Sequence, residues 1–469
     1  MRKISLISSS RADYGIMKNL ITKLQKDRDV KFNFYPTGSL LQNKFGNNLN
    51  QIKKDKIKIT KKINIDFLSD KNLDVSFVVS TGIKRFTKEF QKNKPDILVI
   101  LGDRYEIFSV AIAAMINQIP IAHIHGGEST EGIIDEAIRH SITKMSHLHF
   151  VSTYKYFKRV LQLGEKRENI FNVGSLGVEN VKKMNFFLNL EKKNKFNLNL
   201  KKRTFVITLH PETLDKSNVK KNTLILLNAL EKFKNTNFIF TMPNAEAGYK
   251  EINNQIVKFC QKNKDSFYFK SLGQKNYFAI CKQASCIIGN SSSGIIEAPS
   301  LLIPSVDIGN RQLGRVRAES VINSSFNVRS IVKSIKRCLK LKGIKKKHTK
   351  FKNPYEKKNT SDQIIKTLKS KKLENILVKN FKDWQIKFYG SDDYSKKYPL
   401  FKRDENMIGG CVAFVNSEIE NISIEINQNT CSKGLEVLKS NGSFKKVEIN
   451  QSKLDAFDSE FSNLSIDEI

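Results

Sequence analysis

Apolar residues in the first 150 positions fall into two alternating kinds of segment. Short runs such as Ile4–Ser8, Val30–Tyr35 and Ile97–Leu101 (ILVIL) are nearly continuous in apolar character, as strands covered on both faces of a parallel sheet are. Tyr14–Leu24, Val110–Met115 and Asp135–Met145 carry the spacing of helices, and further strands are expected at Ile119–His123 and His149–Ser152. This βαβ rhythm predicts a doubly wound sheet. It lapses between Val181 and Arg203, in Lys/Asn-rich sequence that reads as a linker, and then restarts. Strands are expected at Thr204–Leu209, Phe238–Met242 and Cys286–Gly289, and helices at Leu224–Phe233, Ile252–Cys260 and Ser292–Ala298. The prediction is an α/β chain with two Rossmann-like domains, residues 1–181 and 182–372, and a cleft between them.

From residue 373 the character changes. Residues 373–469 hold 12 Lys and Arg against 16 Asp and Glu, whereas the whole chain carries +35. The apolar run Gly410–Val415 and the alternation in Ile419–Ile426 predict strands. A small α+β extension of unknown role is expected over 373–469, and no internal repeat stands out. A length of 469 residues fits such a multidomain reading, since it exceeds what one core usually holds.

Charge changes the picture less than its size suggests. The surplus is mostly Lys spread over helices and loops (Lys53, Lys54, Lys192, Lys193), without an Arg-rich reading helix. A solvated face is expected rather than a nucleic-acid partner, with a positive field that favours an anionic small substrate. No run reaches the roughly 18 apolar residues that cross a bilayer, so a cytoplasmic protein with no membrane partner is expected. The Cys residues show neither a CxxC pair nor zinc spacing, so neither a disulfide framework nor a metal is expected.

Candidate chemistry lies at strand ends, where helix N-termini offer free N–H groups and positive dipole ends. After the first strand comes Ser8-Ser9-Ser10-Arg11-Ala12-Asp13-Tyr14-Gly15, with Arg11 suited to a phosphate. Gly102-Asp103-Arg104-Tyr105-Glu106 follows the ILVIL strand, and His125-Gly126-Gly127-Glu128 follows the next. In the second half, Gly289-Asn290-Ser291-Ser292-Ser293-Gly294 opens a helix carrying Glu297. Small residues and hydroxyls there suit an anion, although no Lys follows as in a Walker loop. The first βα turn has no GxGxxG, which disfavours a dinucleotide cofactor.

Seven strings in order carry a resemblance: RADYG (Arg11–Gly15), GDRYE (Gly102–Glu106), HIHGGE (His123–Glu128), IDEAIRHSITKMSHLHF (Ile134–Phe150), HPET (His210–Thr213), GNSSSGIIEAP (Gly289–Pro299) and IGNRQLGR (Ile308–Arg315). They resemble the hydrolysing UDP-N-acetylglucosamine 2-epimerases, over roughly residues 1–370, and most of all the branch that opens nonulosonic acid synthesis (sialic and legionaminic acids). The resemblance implies a glycosyltransferase-B-like arrangement with substrate in the cleft. It also implies nucleotide contacts from Arg11, Ser291, Ser292, Glu297 and Arg311, with Arg104 and Asn290 in the same motifs. His210 falls near the departing phosphate, and Asp103, Glu128, Asp135 and Arg139 fall around the sugar. Several relatives have Glu where this chain has His125, so the resemblance leaves open whether His125, Asp103 or Glu128 moves the C2 proton.

The implied reaction takes UDP-N-acetylglucosamine and water to N-acetylmannosamine and UDP, by elimination and water addition, without a cofactor. The alternatives are the same chemistry on a GDP-linked 2,4-diacetamido-2,4,6-trideoxyglucose, or a glycosyltransferase of the same fold. The partners expected are the nucleotide sugar and further copies of the chain, as a dimer or tetramer.

Overall fold

A computed structural model describes residues 1–42, 48–65, 72–184, 202–212, 218–243, 248–344 and 351–379, and within the remainder the strands named below. The linker read at 181–203 lies mostly outside these residues, as does Thr213 of the HPET string. Two compact units result, Met1–Lys379 and Asn380–Ile469.

The first unit holds two six-stranded sheets. In the first lobe, β1 (Arg2–Ser8), β2 (Val30–Pro36), β3 (Ile97–Leu101), β4 (Ile121–Ile124), β5 (Leu148–Val151) and β6 (Ile170–Asn172) lie in the order β2-β1-β3-β4-β5-β6. Every pair is parallel. The second lobe holds β7 (Arg203–Thr208), β8 (Thr236–Thr241), β9 (Ser266–Phe269), β10 (Cys286–Gly289), β11 (Ser305–Ile308) and β12 (Val321–Ser324), ordered β12-β11-β10-β7-β8-β9 and again all parallel. These are the two doubly wound sheets that the strand–helix rhythm predicts.

The pleat explains why β3 is apolar throughout. Alternate side chains point to opposite faces, so Ile97, Val99 and Leu101 enter the core under the helix Arg11–Lys26, while Leu98 and Ile100 enter the core on the other face. That helix starts at the N-cap Ser10, whose hydroxyl accepts from Asp13 N at 3.2 Å, and it buries Tyr14, Met17, Leu20, Ile21 and Leu24 at helical spacing. The helix expected at Ser292–Ala298 is broken: one α-turn, Ser293–Ile296, passes into a 3₁₀ turn at Ala298–Leu301 with Pro299 in it. Proline lacks the N–H that would continue the ladder.

Residues after the second sheet return to the first lobe. Helix Thr360–Ser370 buries Ile364, Ile365 and Leu368 in the core beside Leu20 and Leu24. Thr360 Oγ1 donates to the Val173 carbonyl at 2.7 Å, and Arg2 Nη1 donates to the Leu368 carbonyl at 2.6 Å. By packing, this helix belongs with the first sheet, although its sequence position lies within 182–372.

The second unit differs from the α+β expectation: its described residues are strands. They are β13 (Gln385–Tyr389), β14 (Lys402–Arg403), β15 (Asn406–Met407), β16 (Gly410–Val415), β17 (Glu418–Asn427), β18 (Lys433–Leu438), β19 (Asn441–Asn450), β20 (Asp455–Glu460) and β21 (Asn463–Ile466). From β16 onward the chain alternates between two parallel sheets, β16-β18-β20 and β13-β17-β19-β21. Partners in register are Glu418, Asn441 and Asn463, a step of 23 and then 22 residues. This is the geometry of a solenoid, in which each coil covers the apolar face of the last. Ile424, Leu435, Val437, Phe444 and Val447 form its core. Period-two alternation such as that in Ile419–Ile426 is the spacing of strands and not of helices.

Candidate active site

In a doubly wound sheet, ligands bind beyond the strand carboxyl ends at the point where strand order reverses. In the first lobe that point lies between β1 and β3, so Arg11 and Asp103 face one crevice. Asp103 pairs with Arg139, a guanidinium only 1% exposed. Arg139 also donates to Glu136 Oε2 (2.6 Å), Thr130 Oγ1 (2.8 Å) and the Glu128 carbonyl (3.2 Å). A buried guanidinium needs such a set of acceptors. Glu136 and Arg139 meet because they lie three residues apart on helix Asp135–Met145. Glu136 was passed over in the motif reading, although that spacing could have found it. Asp135 opens the helix and is half-buried.

His123 has a different task from His125. It is fully buried, with Nε2 2.8 Å from the Gly102 carbonyl, and burial lowers its pKa to about 3. A neutral His123 therefore braces the turn that carries Asp103. His125 follows β4 in left-handed backbone (φ 66°), 7% exposed. Its Nδ1 lies 3.1 Å from Glu128 Oε1, and its Nε2 is buried with no hydrogen-bond partner. Ser152 Oγ donates to the same Glu128 oxygen at 2.6 Å, and Arg315 from the second lobe pairs with Glu128 Oε2. Burial acts to push the Glu128 carboxyl up, but Arg315 and then His125 outweigh it and hold it at about 2.

The second lobe has its switch point between β7 and β10. His210 follows β7 and Asn290 follows β10. His210 N donates to Asn290 Oδ1 at 2.7 Å, Asn290 Nδ2 donates to the His210 carbonyl at 2.9 Å, and Gln312 Nε2 donates to the Asn290 carbonyl at 3.0 Å. Gly289 permits this crossing: a Cβ there would lie 1.9 Å from the Thr208 carbonyl oxygen. Ser292 precedes the short helix without a side-chain capping bond, and the Ser291 hydroxyl shares a hydrogen bond with Ser293, which in turn meets Tyr277 OH at 2.7 Å. Glu212 accepts from the Asn310 and Arg311 backbone N–H groups at 2.6 and 3.1 Å, which fixes the turn carrying Arg311.

The lobes meet along a seam. Glu131 N donates to the Leu313 carbonyl at 3.2 Å, and Tyr156 OH lies 2.9 Å from Tyr355 OH. Burial lowers Arg139 well below its ordinary range, and repulsion from Arg315, Arg159 and Arg311 adds to this. Crowded guanidinium groups form an arrangement that an anion relieves. Glu297 reaches the seam from the second lobe and lies against Gly177 of the first, where a Cβ would sit 2.2 Å from its Oε1. Burial pushes Glu297 up to about 7, against the pull of His125. Arg11, at the start of its helix, is lowered by burial. Arg104 is turned away from the crevice centre onto Glu106, at 3.1 and 3.0 Å. The fold thus gathers Asp103, His125, Glu128, Arg139, Glu297 and Arg311 around one seam, and adds Glu136, Ser152, Gln312 and Arg315.

The sequence matches the UDP-N-acetylglucosamine 2-epimerase family over residues 22–369. The chain belongs to that family. A GDP/UDP-N,N'-diacetylbacillosamine 2-epimerase (hydrolyzing) of Campylobacter jejuni is 41% identical, over 81% of this chain and 99% of the relative. Polysialic acid biosynthesis protein P7 of Escherichia coli is also 41% identical, over 82% and 98%. Among solved structures, the Neisseria meningitidis UDP-GlcNAc 2-epimerase bound to UDP-GlcNAc shares the fold, with a TM-score of 0.67 at 19% identity, covering 78% of this chain and 99% of that one. The family member described here is accordingly a hydrolysing sugar-nucleotide 2-epimerase with two Rossmann-like domains in the glycosyltransferase-B-like arrangement. The Asn380–Ile469 unit lies beyond the matched family region.

Proposed function

We propose that this epimerase converts UDP-N-acetylglucosamine and water to N-acetylmannosamine and UDP, feeding nonulosonic acid synthesis. The C2 hydrogen of an acetamido sugar is not acidic, so its removal is coupled to loss of the diphosphate. The C1–O bond breaks, its electron pair leaves on the diphosphate, a base takes H2, and a C1–C2 double bond forms. Water then adds hydroxyl to C1, and a proton enters C2 from the opposite face. Two acid/base groups and a cationic cradle are needed. The observation that carries this reading is the seam itself, where the His125–Glu128 and Asp103–Arg139 pairs meet Arg311 and Arg315.

In this assignment Asp103, His125, Glu128 and Asp135 serve the sugar, with His210 near the leaving phosphate. Arg11, Asn290, Ser291, Ser292 and Arg311 hold the diphosphate, and Glu297 accepts ribose hydroxyls. A second reading, a diacetamido sugar on GDP or UDP, is favoured by the near-complete coverage of the Campylobacter relative. Parallel incubation with both sugar nucleotides in D2O, followed by NMR, decides between them. Deuterium at C2 with inverted configuration is expected. Free sugar with protium at C2 and its original configuration overturns the mechanism, and dependence on an acceptor reveals a transferase.

The same reading places the enzyme in the cytoplasm, where the buried thiols Cys281, Cys286 and Cys338 stay reduced. No helix among the described residues is long and apolar enough to cross a membrane. Self-association fits the exposed apolar residues Leu73 and Phe77, four positions apart on one face of helix Asn72–Lys92. Sedimentation of Phe77→Lys should show a smaller species than the parent if a second copy covers that patch.

A further inference from the structure

Glu128 is held by groups from three parts of the fold. Ser152 Oγ comes from the end of β5, His125 Nδ1 from the turn after β4, and Arg315 Nη1 from the second lobe. Both carboxylate oxygens are engaged, and Glu128 is 1% exposed. The carboxylate is therefore not the end of this assembly that meets a ligand. His125 Nε2 is: it is buried and has no partner. An ionised carboxylate can only accept, so Nδ1 carries the hydrogen toward Glu128, and the neutral imidazole presents its lone pair at Nε2. The left-handed backbone of His125 is kept only where surroundings brace it.

We propose that Arg315 is a positioning residue of the reaction: carried by the second lobe, it completes an Arg315–Glu128–His125 chain when the lobes meet, and so presents His125 Nε2 as the proton-transfer end. The proposal rests on the 2-epimerase reading and deepens it by naming what assembles its acid/base group. Arg315 lies between β11 and β12, 187 residues from Glu128, and its side chain is 9% exposed. It is buried at the seam.

Without that guanidinium, Glu128 keeps Ser152 and His125 as partners, while Tyr156, Tyr355 and the Glu297 carboxyl are near enough to interact with it electrostatically. Arg139 reaches only its backbone carbonyl. Loss of the guanidinium makes the Glu128–His125 pair take up a proton more readily, and that proton goes to the more basic imidazole at Nε2, which then has no lone pair left to accept one from the substrate.

The test uses the full chain with Arg315→Met and Arg315→Lys, following kcat and KM against pH, UDP affinity by calorimetry, and the protonation of the His125 ring nitrogens by 15N NMR. For Arg315→Met, kcat should fall about 100-fold while KM and UDP affinity stay within about threefold, the pattern of a lost transition-state interaction. The acid limb of the kcat profile should move up by about one pH unit or more, since the proton is held more tightly. Lys should restore about tenfold of the loss, supplying the charge without the fork. If Arg315→Met does not fold, Glu128→Gln with Arg315→Met removes both buried charges. Its kcat should then match that of Glu128→Gln alone, because the two residues act as one unit.

An unmoved acid limb with near-parental kcat makes Arg315 a seam contact and ends the proposal. A fall in UDP affinity in step with kcat makes it a phosphate ligand, which ends it equally. If the parent enzyme releases nucleotide from neither sugar nucleotide, the functional reading fails by itself. The 15N measurement still reports on Arg315 in that case: a neutral Nδ1–H imidazole in the parent, taking up its Nε2 proton at higher pH in Arg315→Met, is expected, and no difference between the two refutes the assembly.

Discussion

The two lobes repeat one scaffold and equip it differently. Both are parallel six-stranded sheets whose order reverses between neighbouring strands, β1 and β3 in one, β7 and β10 in the other. At the first reversal and the neighbouring β4 end the chain places ionisable groups: Asp103, His125, Glu128 and, through helix Asp135–Met145, Glu136 and Arg139. At the second it places Asn290, three serines and a turn of backbone N–H groups, tied together by His210 and Gln312. In the function proposed above one set moves protons and the other grips an anion, so the fold supplies the crevice and the strand-end side chains supply the division of work.

The sharpest way to break that division is to remove its proton-moving side. His125→Ala and Asp103→Asn should each lower kcat by at least about 100-fold, as loss of an acid/base group does. UDP affinity should change by less than about threefold. Steady-state kinetics and calorimetry on the same preparations check both halves, and equal losses in the two would erase the distinction between lobes. On the gripping side the pattern should invert. Arg311→Ala, or Ser291→Ala with Ser292→Ala, should weaken UDP binding by about 1.5–3 kcal/mol per charge-assisted bond lost. Unchanged calorimetric affinity would mean that the nucleotide is held elsewhere.

Glu297 sharpens the comparison, because it is a carboxyl on the side that otherwise carries few. Burial raises it to about 7 from its ordinary 4.5. A raised folded value means that its contribution to stability is present below pH 4.5 and is lost as pH rises through 7. Glu297→Gln should therefore stabilise the fold at pH 8, by on the order of 2 kcal/mol, and gain nothing at pH 5. Thermal melts at the two pH values check this, and an equal effect at both contradicts it. The smallest effect is expected from the remaining region. A chain ending at Lys379 should keep kcat within about twofold, since that compact unit contains both reversals and the seam. A larger loss in a nucleotide-release assay would bring the solenoid into the reaction.

Much of the fold and the crevice was legible because both depend on short-range pattern. The ILVIL run announced a strand buried on both faces, and motifs after strands announced the crevice, since parallel sheets put ligands there. The strand-end placement of Asp103, His125 and Glu128 was legible in this way. Glu136 was missed although it stands beside Asp135, because the motif drew attention to the first acidic residue while helical spacing, three residues to Arg139, favours the second. Arg104 lay in a motif too, yet its guanidinium turns to Glu106 two residues on.

What the sequence determined by itself is therefore local and periodic: strand and helix alternation, the caps, the family strings and the strand ends at which they fall. Tertiary structure alone decided the pairings that cross the chain. Nothing near Glu128 in sequence announces Arg315, and nothing near Val173 announces the helix that returns at Thr360. The solenoid was hidden for a similar reason. Its coils repeat a backbone path of 22 or 23 residues while requiring only apolar character at inward positions, so Ile424 can stack on Val447 without any residue string recurring. Burial and charge act through distance in space, and a linear pattern records that distance only where chain neighbours are also spatial neighbours.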